Sequence, residues 1–121
     1  PSSACFVGAT AEEAARRFFP DSAFFSTKGF LPEEGTFEST IATFRIKQIL
    51  AEQAARVVLL VDHSKFGQRA LCKVLETEQI DEVITDAGAS ASDVAVLEQR
   101  GLTVRVASEF AHPASAVVHT S

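Results

Sequence analysis

Val57 to Val61 is an unbroken apolar run, and it leads straight into Asp62 and the polar turn DHSKFG, which carries Ser64 and Lys65. A run of β-branched residues and leucines with no polar alternation has no face to offer to water. It therefore reads as a strand covered on both sides, as in a parallel sheet packed between helices. Val83-Ile84-Thr85-Asp86 repeats the arrangement in shorter form. Sheets of this kind receive ligands just beyond the carboxyl ends of their strands, where Asp62 and Asp86 are expected to lie. A carboxylate there accepts hydroxyl hydrogen bonds, while the Lys65 ammonium meets an anion, so a polyol phosphate matches both groups.

The surrounding pattern supplies the other layers. Thr10-Ala11-Glu12-Glu13 has the form of a capping box. Ala11, Ala14, Ala15, Phe18 and Phe19 then follow at the spacing of one helical face, with Glu12/Arg16 and Glu13/Arg17 pairs opposite. Pro20 ends that helix; a short buried strand over residues 22–26 runs into the loop of Gly29, Pro32 and Gly35. Core packing is the expected role of the phenylalanine pairs. Helix propensity favours residues 36–55, although Ile41 and Phe44 lie off the apolar side. Strands are expected over 56–61, 70–75 and 82–85, with a turn or short helix around 77–79. Ser90-Ala91-Ser92-Asp93 opens a second capped helix that stops at Gly101, and Leu102, Val104 and Val106 alternate as a half-exposed edge strand. Residues 1–107 thus form the expected folded unit and 108–121 a C-terminal tail. Alternating strands and helices predict a three-layer α/β fold with a mainly parallel sheet flanked by helices. Four or so strands make a small sheet, so the fold is expected to be a partial domain completed by a preceding segment.

With 121 residues, 46% of them apolar and 10 of them Phe, the chain is long enough for one modest core, and disorder is not expected. No apolar run approaches the roughly 20 residues of a membrane span, and no signal peptide is evident, which points to a soluble cytoplasmic protein. Cys5 and Cys72 stand apart without ligand spacing, so neither a disulfide framework nor a metal site is expected; both read as small buried hydrophobes. A net charge of -5 with scattered basic residues argues against this segment gripping nucleic acid itself. The chain has no methionine, which is read as a start inside a longer protein.

The candidate chemistry centres on Asp62, Ser64, Lys65 and Asp86. Each has a plainer reading, in which Asp62 or Ser64 merely caps local amides, Lys65 stands in water and Asp86 closes a turn. Recurrence of an aspartate at two strand ends tips the balance toward a site. Ser26-Thr27-Lys28-Gly29 is a further polar loop after a strand, where Lys28 and the backbone freedom of Gly29 would reach a ligand, although an exposed turn is the commoner outcome. His63 suits a general base or a ligand contact, against the usual case of an exposed turn histidine. His112 and His119 receive no role, and no Ser-His-Asp or Cys-His set is evident.

The succession Asp21-Ser22-Ala23-Phe24-Phe25-Ser26, Lys28-Gly29-Phe30, Gly35, Lys47, VVLLVDHSKFG and IDEVITD resembles the C-terminal sensor domain of DeoR-type bacterial transcription regulators. The ordered match runs from roughly Phe6 to Val106, and DHSKFG followed by IDEVITD is its specific part. The resemblance implies a helix-turn-helix domain ahead of a sensor similar in fold to ribose-phosphate isomerases and coenzyme A transferases. It also implies a Gly-rich phosphate turn, which this chain enters after. The related isomerases share the Asp-x-Ser-Lys element, matched by Asp62, Ser64 and Lys65. Their carboxylate base lies just before a lysine, where this chain has Arg45-Ile46-Lys47, and an isoleucine cannot remove a proton. Their Asp-x-x-Asp loop is reduced to Asp21 and Phe24.

The expected function is therefore effector binding by a cytoplasmic repressor-type regulator. A phosphorylated sugar or related metabolite would bind without a cofactor, and DNA would be held only through a separate helix-turn-helix domain. Asp62, Ser64, Lys65 and Asp86 are expected to line the pocket, with Lys28, Gly29 and Asp21 as secondary choices and no catalytic residue. Symmetric self-association is expected, because DNA half-sites are paired. The rival from the enzyme class is a sugar-phosphate isomerase or lyase using Asp62 or Asp86 as base with help from His63. A phosphoacceptor receiver is a third, weakened by the absence of an acidic pair at an earlier strand end.

Overall fold

The computed structural model describes residues 9–41, 44–107 and 116–119. The long apolar run forms β4 (Arg56–Leu60), at the centre of a sheet whose other members are β1 (Ser22–Phe25), β6 (Glu82–Asp86), β7 (Thr103–Ala107) and β8 (Ala116–His119). Their order is β7-β6-β4-β1-β8; the first four are parallel and β8 runs antiparallel to β1. Val57, Val58, Leu59 and Val61 are all buried, as expected of a strand with a neighbour on each side and a layer on each face. Parallel neighbours require crossovers, and α3 (Ala91–Gln99) provides the one from β6 to β7. Ser90 starts α3 by accepting the Asp93 amide at 3.1 Å, and Gly101, at φ +91°, follows its end.

A second, antiparallel sheet of order β2-β3-β5 stands beside the first, built from β2 (Gly29–Leu31), β3 (Gly35–Glu38) and β5 (Cys72–Glu76). The sequence reading does not foresee it. Gly29, Pro32 and Gly35 look like one loop but form a hairpin, and the expected helix over 36–55 is a strand in its first part. All four residues of β3 are buried, and Thr36 Oγ1 accepts the Leu75 amide at 3.1 Å, so cross-strand pairing overrides local helix preference. The helix proper is α2 (Phe44–Gln53).

α1 (Ala9–Arg16) packs on α2 through Ala11, Ala15, Ile46 and Ile49. Glu12 makes the expected pair with Arg16 at 3.8 Å and meets Arg45 of α2 at 3.7 Å. The helix ends before Phe18 and Phe19, both of which are exposed, so the expectation of core packing fails for that pair while Phe25 is fully buried. The main core joins Phe25, Phe30, Leu59, Leu75, Val83 and Leu97 across both sheets and α3. Each such side chain contributes about 1.5–3 kcal/mol by leaving water, which fixes the strand ends that carry the polar turns.

β7 is the expected half-exposed edge strand, with Leu102 buried and Val104 half-buried, but Val106, on the apolar side of the expected alternation, is 57% exposed. β8 lies within the residues read from sequence as a tail. Cys5 and His112, and the side chains of Thr10 and His119, fall outside the described residues; Cys72 is a free, half-buried thiol.

Candidate functional site at the carboxyl edge of the parallel sheet

β1, β4 and β6 run the same way, so Ser26, Asp62 and Asp86 emerge along one edge of the sheet. Asp62 caps a short 3-10 turn, His63–Lys65. Its Oδ1 accepts the Ser64 amide at 2.9 Å and also the Ser64 hydroxyl. Those bonds from Ser64 are the leading reason that the Asp62 carboxyl is held below its ordinary value of 3.8; burial and Asp86 push the other way, and Lys65 assists. The capping that the plainer reading foresees is thus present. Lys65, half-buried in the same turn, has no ion-pair partner among the described residues.

Asp86 is turned toward the same loop. Its carboxylate takes the His63 ring nitrogen Nδ1 at 3.0 and 3.1 Å, the His63 amide at 3.3 Å and the Gly88 amide at 2.9 Å. Burial works to raise this carboxyl, but the bonds from His63 and Gly88 outweigh it and leave it below the usual 3.8. Because Asp86 bonds His63 in the turn that Asp62 caps, the structure brings Asp62, Ser64, Lys65 and Asp86 together with His63 between two strand ends.

The segment after β1 is fastened to this turn. Phe30 and Phe66 pack with ring centres 5.5 Å apart and planes tilted by 51°, and the Gly67 amide donates to the Phe30 carbonyl at 2.9 Å. A Cβ on Gly29 would stand 2.2 Å from the Gln68 carbonyl oxygen, so this glycine serves close backbone approach. Gly29 is buried in the hairpin and pairs with Phe37 rather than offering an open amide, whereas Lys28 is exposed and has no ion-pair partner among the described residues. Asp21 is not brought here: it precedes β1, at the amino edge of the sheet.

Under the same edge lies a pair that motif reading missed. Lys47 of α2 is buried and donates to Glu38 Oε2 at 2.7 Å and to the Ser26 carbonyl at 3.1 Å. A buried ammonium needs such partners, and here they tie α2 to β3 and to the end of β1. The available signal was helical spacing, since Leu50 and Ala51, three and four positions on, also face inward.

Among the described residues no cluster of His, Cys, Asp and Glu could hold a metal ion, and no helix is long and apolar enough to cross a membrane. The edge offers fixed hydrogen-bond acceptors and an ammonium, Lys65, that makes no direct ion pair among the described residues.

Residues 1–87 match the family described as the DeoR C terminal sensor domain. The chain is 36% identical over 98 residues to the HTH-type transcriptional regulator GlpR of Haloferax volcanii, covering 81% of this chain and 38% of that protein. It is 33% identical over 87 residues to the HTH-type transcriptional regulator GolR of Listeria innocua, covering 72% and 34%. With the putative aga operon transcriptional repressor of Escherichia coli O157:H7 it shares 28% over 104 residues, covering 86% and 39%. The chain thus matches between 34% and 39% of the length of these curated relatives.

Proposed function

The chain belongs to the family of DeoR C-terminal sensor domains, and from that premise we propose that it is the effector-binding part of a transcriptional regulator that responds to a phosphorylated sugar or related metabolite. The DNA-contacting part would be a helix-turn-helix segment outside this sequence, in keeping with the names of the relatives. The observation that carries the ligand class is Lys65, a half-buried ammonium without an ion-pair partner among the described residues, in one turn with the Asp62 carboxylate. Lys65 holds the phosphate, and Asp62 and Ser64 face the sugar hydroxyls, with Lys28 as an accessory cation. No cofactor takes part. The protein works in the cytoplasm as a symmetric oligomer, in which bound effector favours one subunit arrangement over another by its difference in affinity for the two.

The non-enzymatic reading is supported by relatives that are all named regulators and by Ile46, a buried apolar side chain where the related isomerases place their base. Calorimetry of the full-length protein against pentose and hexose phosphates, together with operator retention, tests the proposal. Binding that changes operator affinity is expected. Turnover of a sugar phosphate at enzymatic rates, or indifference to every member of the panel, overturns it.

A further inference from the structure

Both oxygens of Asp86 are engaged by its own neighbours: Oδ1 by the Gly88 amide and the His63 ring, Oδ2 by the His63 amide and the same ring. The carboxylate expected from sequence to read a hydroxyl is therefore spent on holding an imidazole. We propose that His63 is the group that reads a ligand hydroxyl at this edge, its ring positioned by Asp86 and Gly88 so that Nε2 accepts the hydroxyl hydrogen of a phosphorylated polyol. This rests on the sensor function proposed above and adds the atom through which one sugar is told from another.

Three observations carry it. A carboxylate only accepts, so its contact with Nδ1 places a ring proton there and leaves the Nε2 lone pair of the neutral ring pointing away from Asp86. Burial works to raise the Asp86 carboxyl, but its bonds to His63 and Gly88 outweigh that and hold it below its ordinary value. The ring also lies directly against Gly88: a Cβ at that position would stand 2.5 Å from Nδ1 and 2.6 Å from Cγ, so the absent side chain is the space the imidazole occupies. Held from two sides, the ring bridges the β4 and β6 turns, yet its side chain remains 58% exposed, so Nε2 is within reach of a solute. Asp86 of β6 is the charged group that contacts it among the described residues, and Asp62 and Lys65 belong to its own turn. The ring's hydrogen-bond contacts among the described residues are made by Nδ1 alone.

The test is calorimetry of the full-length regulator with ribose 5-phosphate, glucose 6-phosphate and fructose 6-phosphate, with inorganic phosphate as the reference. His63→Asn keeps a donor near the Nδ1 position and removes Nε2. It is expected to weaken the preferred sugar phosphate roughly tenfold, the scale of one neutral hydrogen bond, while leaving inorganic phosphate unchanged. His63→Gln, whose amide reaches further, should recover part of the loss. Gly88→Ala displaces the ring while removing no hydrogen-bonding group and should reproduce the selective loss, and nitrogen NMR of His63 should show Nε2 responding to the sugar phosphate and not to phosphate alone. Equal losses for sugar phosphate and phosphate, no loss in either variant, or an imidazolium in the complex would each overturn the role of His63. Loss on Lys65→Ala without loss on His63→Asn overturns this inference alone; no binding of any sugar phosphate by the wild type overturns the sensor reading with it.

Discussion

The two edges of the parallel sheet carry similar acids and treat them in opposite ways. At the amino edge, Glu82 is buried between Arg56 and Arg105, and Asp81 accepts the Val57 amide at 2.7 Å. At the carboxyl edge, Asp62 and Asp86 are held by Ser64, by backbone amides and by a histidine, while Lys65 and Lys28 have no ion-pair partners among the described residues. Contact between opposite charges locks three strands together at one end. At the other, carboxylates are held by hydroxyl, amide and imidazole donors, and the two ammonium groups make no direct ion pair among the described residues. The difference teaches that acids at strand ends are informative only together with their cations, since an edge that has closed its charges has nothing left for a ligand.

The most forceful way to break the contrast is to remove what lies beneath the open edge. Lys47→Ala leaves Glu38 buried without its cation and should cost about 3–5 kcal/mol in urea unfolding. Lys47→Met combined with Glu38→Leu should restore much of that loss; an equal cost for the double variant would show that the bond to the Ser26 carbonyl, rather than the ion pair, matters. Next in size, Glu82→Gln should destabilise by roughly 2 kcal/mol, the range of a hydrogen bond to a charged group, with phosphate affinity untouched. Lys65→Ala should do the reverse, shifting stability by no more than about 0.5 kcal/mol while phosphorylated ligands lose about 1.5–3 kcal/mol in affinity. Matching changes in both quantities for both variants would erase the distinction between the edges.

The smallest effect is set by acid. Asp62 and Asp86 have carboxyls lowered on folding, so the stability they contribute is complete above their unfolded value of 3.8 and disappears as pH falls below it through the folded values. The Ser64 and Gly88 amides, which donate to these carboxylates, should lose hydrogen-exchange protection in that acid window and keep it at neutral pH. Retention of protection after both carboxyls have been titrated to the acid form would mean that the turn is held by its backbone alone.

Much of this was legible in the sequence, because burial writes itself as pattern. The run Val57 to Val61 and the Ser90 cap each led to the element found, the apolar spacing of residues 102–106 led to the β7 strand though not to the exposure of Val106, and the DHSKFG turn led to the edge on which Asp62, Ser64, Lys65 and Asp86 meet. What escaped depended on partners distant in the chain. β3 looks helical until Leu75 and Glu76 of β5 come alongside it, and Phe18 and Phe19 look like core until the helix ends ahead of them. Lys47 meets Glu38 only after the chain has turned from β3 into α2. The engagement of Asp86 by His63, 23 positions away, could not be seen from either turn alone.

The fastening of the DHSKFG turn to the hairpin has an energetic corollary. With Phe66 packed at a tilt against Phe30, the Gly67 amide bonded to the Phe30 carbonyl and Gln68 seated against Gly29, the loop is already built. Little backbone entropy of this turn would remain to be surrendered on association, so a small metabolite bound here would be spared that part of the cost.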